Sequence, residues 1–141
     1  MQARASTLIG TTPEAAFRFI ADPANDRRWR SYLASSRGQV TAPGDRVVQT
    51  YTAQGKSKTV ELEVSEYAPP ERLSYRIVGP FRARLSFGCR PEADGTRVSM
   101  SLTAEIDGIA SIATGRVEAE VLKIARGDLG RLKLALEGSG S

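Results

Sequence analysis

Arg97-Val98-Ser99-Met100-Ser101-Leu102-Thr103-Ala104-Glu105-Ile106 alternates without a break, setting Val98, Met100, Leu102, Ala104 and Ile106 against Arg97, Ser99, Ser101, Thr103 and Glu105. A period of two with one apolar and one wet side predicts a half-buried antiparallel strand. Upstream, Phe81, Ala83, Leu85, Phe87 and Cys89 oppose Arg82, Arg84, Ser86 and Arg90, and Asp94-Gly95 supplies a turn, so the two runs read as a hairpin with one buried face. Farther back, Leu73, Tyr75 and Ile77 alternate with Ser74 and Arg76 until Gly79-Pro80 stops the run; Val60, Leu62 and Val64 alternate with Glu61, Glu63 and Ser65. The run 47–53, set off by Pro43-Gly44 and Gln54-Gly55, is another strand. Its inward face is ambiguous, because Val47, Gln49 and Tyr51 compete with Val48, Thr50 and Thr52, and Tyr51 inward is the preferred register.

Downstream of the quoted strand the period changes. Val117, Val121, Ala125, Leu129, Leu132 and Leu136 share one side of a helix from about 111 to 137, opposite Arg116, Glu120, Lys123, Arg126 and Arg131. Gly127 and Gly130 inside it cost about 1 kcal/mol each relative to alanine and mark either a bend, a close approach, or tolerated surface glycines. At the other end, a first strand over about 2–9 precedes Thr12-Pro13, a capping hydroxyl and an N1 proline ahead of Ala15-Ala16-Phe17-Arg18-Phe19-Ile20. Asp22-Pro23 repeats the signal for a second short helix carrying Arg27, Arg28 and Trp29. The order implies an α+β domain over 1–137 with a flexible tail, 138–141: a curved antiparallel sheet of about six or seven strands closed by one long C-terminal helix, with two short helices after strand 1.

Composition narrows the chemistry. The chain has 141 residues, no histidine and one cysteine, Cys89, which removes Ser-His-Asp triads, Cys-His pairs, histidine-ligated metals and any internal disulfide. Cys89 falls on an apolar strand face and reads as a small buried hydrophobe. No metal or nucleotide signature is present, and no obligatory cofactor is expected. The net charge is +4, but the basic residues are spread along the chain apart from Arg27, Arg28 and Arg30, so nucleic acid is not an expected partner. That trio reads as a solvated helix face, with an acidic head group or a carrier-protein phosphopantetheine as the functional alternative. No apolar run reaches the roughly 20 residues of a membrane span, and no secretory signal opens the chain, so a cytoplasmic location is expected.

Three segments carry a family resemblance: Phe17-Arg18-Phe19-Ile20-Ala21-Asp22-Pro23-Ala24-Asn25 with Trp29, then Glu66-Tyr67-Ala68-Pro69-Pro70-Glu71-Arg72-Leu73-Ser74-Tyr75, then Asp128-Leu129-Gly130-Arg131-Leu132-Lys133-Leu134-Ala135-Leu136-Glu137. In this order the chain resembles the START-like SRPBCC superfamily, most of all its bacterial polyketide cyclase/dehydrase-like branch. The resemblance implies a helix-grip fold with a mostly apolar cavity between sheet and last helix, holding lipids, sterols, polyketides, quinones or similar small hydrophobic molecules. It implies little about reaction, so function has to be argued from the site.

A strongly curved sheet closed by one helix needs large side chains to fill it, and this chain is only 6% aromatic. Strand alternation and helical spacing give Trp29, Tyr51, Tyr75, Phe87, Met100, Leu102, Val117, Val121 and Ile124 as the candidate lining, with ordinary core packing as the competing assignment. Tyr51 and Tyr75 are the candidate catalytic residues, since an inward tyrosine pairs an apolar ring with a hydroxyl able to anchor a ligand carbonyl. Gln49 adds a neutral donor and acceptor if it shares the Tyr51 face. Glu61 and Glu63 face solvent on this register; Asp128 and Glu120 could approach a cavity mouth, although a solvated helix flank accounts for them. The expected partner is a small hydrophobic molecule of polyketide, lipid or sterol type, with catalysis of its cyclisation, dehydration or isomerisation. A non-catalytic lipid or quinone carrier and a protein-interaction module stay open, as do a homodimer and a contact with an acyl carrier protein.

Overall fold

A computed structural model of the chain describes residues 1–79, 82–105 and 114–138, with 114 and 115 by backbone alone. Phe81 and Ile106, both expected on apolar strand faces, and the expected helix start at Ser111 lie outside the described residues, as do tail residues 139–141. Seven strands form one sheet: β1 (Gln2–Ile9), β2 (Leu33–Gly38), β3 (Arg46–Ala53), β4 (Lys56–Ala68), β5 (Arg72–Val78), β6 (Ala83–Glu92) and β7 (Gly95–Ala104). Helix α1 (Pro13–Ile20) and a 3-10 helix (Pro23–Arg28) follow β1, and the long helix α2 (Thr114–Gly138) follows β7. The strand order is β1-β7-β6-β5-β4-β3-β2 with every pair antiparallel, a curved half-barrel gripping α2.

Local sequence explains the turns. Thr12 Oγ1 accepts from the Ala15 amide at 3.2 Å and Asp22 Oδ1 from the Ala24 amide at 3.0 Å, so both short helices start on the expected caps. Gln54 and Gly55 both have positive φ, as a two-residue hairpin turn between β3 and β4 requires. The β4–β5 register shifts between Val64 and Glu66, a bulge that adds bend and twist in the middle of the sheet. The ambiguous strand resolves with Val47 and Gln49 buried and Val48 exposed, which puts Tyr51 on the inner face.

β2 had no counterpart in the sequence reading. Only Leu33 is buried in it, and its pairing with β3 is irregular between Leu33 and Ser35, so a polar edge strand left no alternation to detect.

The sheet's inner face, α1 and α2 share one core. Ile9, Trp29, Val47, Val64, Leu73, Val98, Leu129 and Leu132 are each at most 1% exposed within it. α2 also seals the outer edge of β1. Glu118 accepts from the Gln2 amide and Glu137 from the Gly10 amide, both at 2.9 Å, and Lys133 Nζ donates to the Leu8 carbonyl at 2.8 Å. The edge that pairing would otherwise leave open is thereby hydrogen-bonded to side chains.

Two glycines show opposite constraints. A Cβ on Gly95 would overlap the Ile9 carbonyl oxygen, so the close passage of β1 over the start of β7 needs a residue without one. Around Gly130 there is open space, which selects the tolerated-glycine reading there; a Cβ on Gly127 would meet only the Arg131 side chain at ordinary contact distance. Gly130→Ala should therefore raise the unfolding free energy by up to about 1 kcal/mol in urea titration, whereas Gly95→Ala should lower it by at least as much.

Candidate functional site

The turn that caps the 3-10 helix at Asp22 aims three later side chains into the protein: Asp26 against β2 and β3, Trp29 into the core, and Arg30 toward α2. Asp26 is 6% exposed, and its Oδ2 accepts from Ser36 Oγ at 2.8 Å and Gln49 Nε2 at 3.2 Å. Gln49 Oε1 in turn accepts from the Tyr51 hydroxyl at 2.6 Å. Arg30 Nη2 reaches the Tyr51 oxygen at 3.4 Å, and Arg30 Nε pairs with Asp128 Oδ2 at 3.2 Å. The other oxygen of Asp128 accepts from the Ser31 amide at 3.0 Å, from Ser31 Oγ at 2.5 Å, and from Arg131. A continuous polar chain thus runs from β2 through β3 to α2.

Burial sets the charge states along this chain. It pushes the Asp26 carboxyl up to about 6, against the opposing pull of Ser36, Arg30 and Gln49. Burial also raises the Tyr51 hydroxyl above its ordinary value, although the Arg30 cation works the other way. For Arg30, burial disfavours the charge, but Tyr51, Asp128 and Asp26 more than compensate, so the guanidinium stays charged. Burial alone pushes the Cys89 thiol up to about 11, which leaves it an inert apolar filler.

Beside the polar chain, between the sheet and α2, lies a partly open cavity of about 250 Å3. Val60, Leu62, Ile77, Leu85, Met100 and Leu102 form its sheet wall, and Val121, Ile124 and Ala125 its helix wall. Arg30, Gln49, Tyr51 and Asp128 line it too, so the polar groups come from the one chain just described. Larger grooves exist on the surface, one on the convex side of the sheet among Arg4, Arg72, Arg84, Arg90 and Arg97, but they are open to solvent and lie away from this chain. Among the described residues no cluster of three or more carboxylate or thiol side chains could hold a metal ion, and no helix is long and apolar enough to cross a membrane.

Of the residues expected to line a cavity, Gln49, Tyr51, Met100, Leu102, Val121 and Ile124 do so. Trp29, Tyr75, Phe87 and Val117 do not. The three aromatics form an edge-to-face row, Trp29 to Phe87 at 5.7 Å and Phe87 to Tyr75 at 6.4 Å between centroids, and that row is core. Tyr75 is 5% exposed, burial raises its hydroxyl, and among the described residues no hydrogen bond holds it. Val117, one helical turn before Val121, is 38% exposed and stands clear of the wall.

Asp26, Arg30, Ser31, Ser36 and Asp128 are the residues that sequence reasoning did not assemble. Asp128 is 1% exposed and lines the cavity, as the cavity-mouth alternative has it and not the solvated flank. Its spacing from Ala125 and Leu132 already put a carboxylate on the apolar stripe of α2, the one signal that could have found it. Of the arginine trio, Arg27 and Arg28 are exposed while Arg30 is drawn inside by Asp128.

A family model described as polyketide cyclase / dehydrase and lipid transport matches residues 1–137. The crystal structure of TTHA0849 from Thermus thermophilus is 20% identical, with a TM-score of 0.83 and 100% of both chains covered. DR_A0006 from Deinococcus radiodurans is also 20% identical, with a TM-score of 0.74 over 99% of this chain and 98% of that one. The di-domain ARO/CYC StfQ from the steffimycin biosynthetic pathway is 13% identical at a TM-score of 0.82, covering 99% of this chain and 51% of its own. At these identities the likeness is one of fold. No curated protein matches the sequence.

Two stability measurements follow from the polar chain. Asp128→Ala leaves Arg30 buried without its carboxylate and should cost about 3–5 kcal/mol in urea unfolding. Asp26 has a folded pKa near 6 against 3.8 in the ordinary state, so its contribution to stability is fully present below pH 4 and is lost as pH rises through 6. The stability of the wild type minus that of Asp26→Asn should therefore fall by about 3 kcal/mol between pH 4 and pH 8, a figure set by two pKa units.

Proposed function

Because the chain belongs to the polyketide cyclase / dehydrase and lipid transport family, we propose that it holds a small, mostly apolar, oxygen-bearing molecule between the sheet and α2. The observation that carries this reading is the composition of the cavity wall: ten apolar side chains from sheet and helix, with the Arg30 guanidinium and Tyr51 hydroxyl beside them. An apolar skeleton meets the aliphatic wall while an oxygen substituent meets Arg30, the division of labour of a small-molecule pocket. Tyr51 is the tyrosine that carries anchoring in this proposal; Tyr75 supports the core behind it.

If the bound molecule reacts, Arg30 is suited to stabilise negative charge developing on its oxygen, and the walls are suited to fold the chain so that reacting carbons meet. Cyclisation, dehydration and isomerisation fit that chemistry, and the shared fold of the ARO/CYC protein StfQ supports the cyclase side. A carrier role is supported by a separate observation. Asp128, the carboxylate among the lining residues, is fully engaged by Arg30, Ser31 and Arg131 and is not a free general base.

Native mass spectrometry of protein purified from its own source should reveal a bound small molecule. A carrier returns it unchanged after prolonged incubation, whereas a dehydrating cyclase returns it lighter by one water. Leu102→Trp, which fills the cavity from a partly exposed wall position, should weaken binding of 2-naphthol at least tenfold in calorimetric titration while the melting temperature stays within a few degrees. Unchanged affinity would place the ligand elsewhere.

A further inference from the structure

The Asp26 carboxylate does not line the cavity, yet it dictates how the cavity's polar end is polarised. An ionised carboxylate only accepts hydrogen bonds, so the part of the Gln49 amide that faces Asp26 has to be the NH2 group, as its 3.2 Å contact has it. The amide oxygen then has to face Tyr51, and the hydroxyl 2.6 Å away has to donate to it. Ser36, which also donates to Asp26, braces the same oxygen from β2. Tyr51 has a single proton, committed to Gln49, and one lone pair already accepts from Arg30, so it offers the cavity its remaining lone pair. Arg30 is the complementary group: Nε is used by Asp128 and Nη2 touches Tyr51, while among the described residues no hydrogen bond uses Nη1.

We propose that Asp26 is a positioning residue that fixes Tyr51 as an acceptor and leaves Arg30 as the donor, so that the cavity selects a ligand carrying a hydroxyl close to a carbonyl or other acceptor oxygen. The inference rests on the cavity being the binding site, and it narrows the ligand from any apolar molecule to a hydroxylated one. It also reverses the role expected from the tyrosine alone, which was to donate to a ligand carbonyl.

The arrangement depends on the Asp26 charge. A protonated Asp26 can itself donate to the Gln49 oxygen, which frees the amide to turn its NH2 toward Tyr51 and the Tyr51 proton to turn toward the cavity. Burial places this protonation near pH 6. The charged and titratable groups around Asp26 are Asp22 and Arg30 on its own segment, Tyr51 on β3 and Tyr75 on β5, with Asp128 and Arg131 of α2 behind Arg30. Arg30, Tyr51 and Tyr75, all shifted upward, keep their protons between pH 5 and pH 8.

The test compares 2-naphthol with 2-methoxynaphthalene by calorimetric titration. The two share a skeleton and an acceptor oxygen, and only the first can donate to Tyr51; neither titrates between pH 5 and pH 8, so the ratio of their affinities cancels the general effects of charge. At pH 8 the wild type should prefer the naphthol about tenfold, the scale of one hydrogen bond left unmade at a buried group. The preference should shrink to within about threefold in Asp26→Asn, whose amide can present either face to Gln49, and in the wild type at pH 5. Equal affinities at pH 8 would overturn the inference while leaving the cavity reading intact. A tenfold preference that persists both in Asp26→Asn and at pH 5 would show that Asp26 does not set the polarity. Failure of both probes to bind would overturn the cavity reading, and this inference with it. Should Asp26→Asn not fold, the pH series on the wild type decides alone.

Discussion

The pairing of Arg30 with Asp128 ties together parts of the chain that share no strand. Arg30 closes the segment after the 3-10 helix, and Asp128 sits midway along α2. The Arg30 charge could not be carried this far from water without Asp128, because the cost of desolvating an ion is recovered only by a partner with good geometry. Ser31 and Arg131 complete the coordination of the carboxylate, and Arg131 also donates to the Trp29 carbonyl at 3.1 Å. The position of α2 over the sheet, the direction of the Arg30 guanidinium and the burial of Trp29 are consequences of this one knot.

The interior divides on either side of it. Trp29, Phe87 and Tyr75 fill one region with rings packed edge to face, and Phe17 extends the aromatic packing toward Tyr67. Elsewhere the facing residues are aliphatic and small, Ala3 on β1 and Ala125 on α2 among them, and they do not span the gap between sheet and helix. With so few aromatic side chains in the whole sequence, concentrating them in one region empties another. The cavity is the complement of the aromatic row, and its polarity comes from the Arg30–Asp128 pair buried beside it.

Most of the sheet was legible because alternation is a local signal, set by side-chain direction alone. The hairpin of β6 and β7 and the apolar stripe of α2 could be read that way, whereas β3 has competing faces and left the inward register of Tyr51 only a preference. β2 could not, because a polar edge strand gains its stability from pairing with β3 rather than from a buried face. The cavity wall was partly legible for the same local reason, and its failures are instructive: Trp29, Tyr75 and Phe87 were placed on the correct inner side, but which inward residues touch each other and which touch empty space depends on the curvature of the sheet. The polar chain was illegible as a unit. Its members come from the segment after β1, from β2, from β3 and from α2, and only Gln49 and Tyr51 on the inner face of β3 and Asp128 on the stripe of α2 left a trace in one dimension.

β1 pairs along its whole length with β7, Gln2 opposite Thr103 and Ile9 opposite Thr96, and its other edge is fastened by side chains from α2. The remaining strands form a run of neighbours in sequence, each able to find its partner as a hairpin, but residue 2 has to wait for residue 103. During synthesis β1 therefore emerges long before its partner strand, and it cannot pair in its final register until β7 has left the ribosome. Non-local pairing of this kind slows folding and exposes an intermediate to association. The grip of the sheet on its helix, and with it the cavity, therefore depends on the longest-range strand pairing in the sheet.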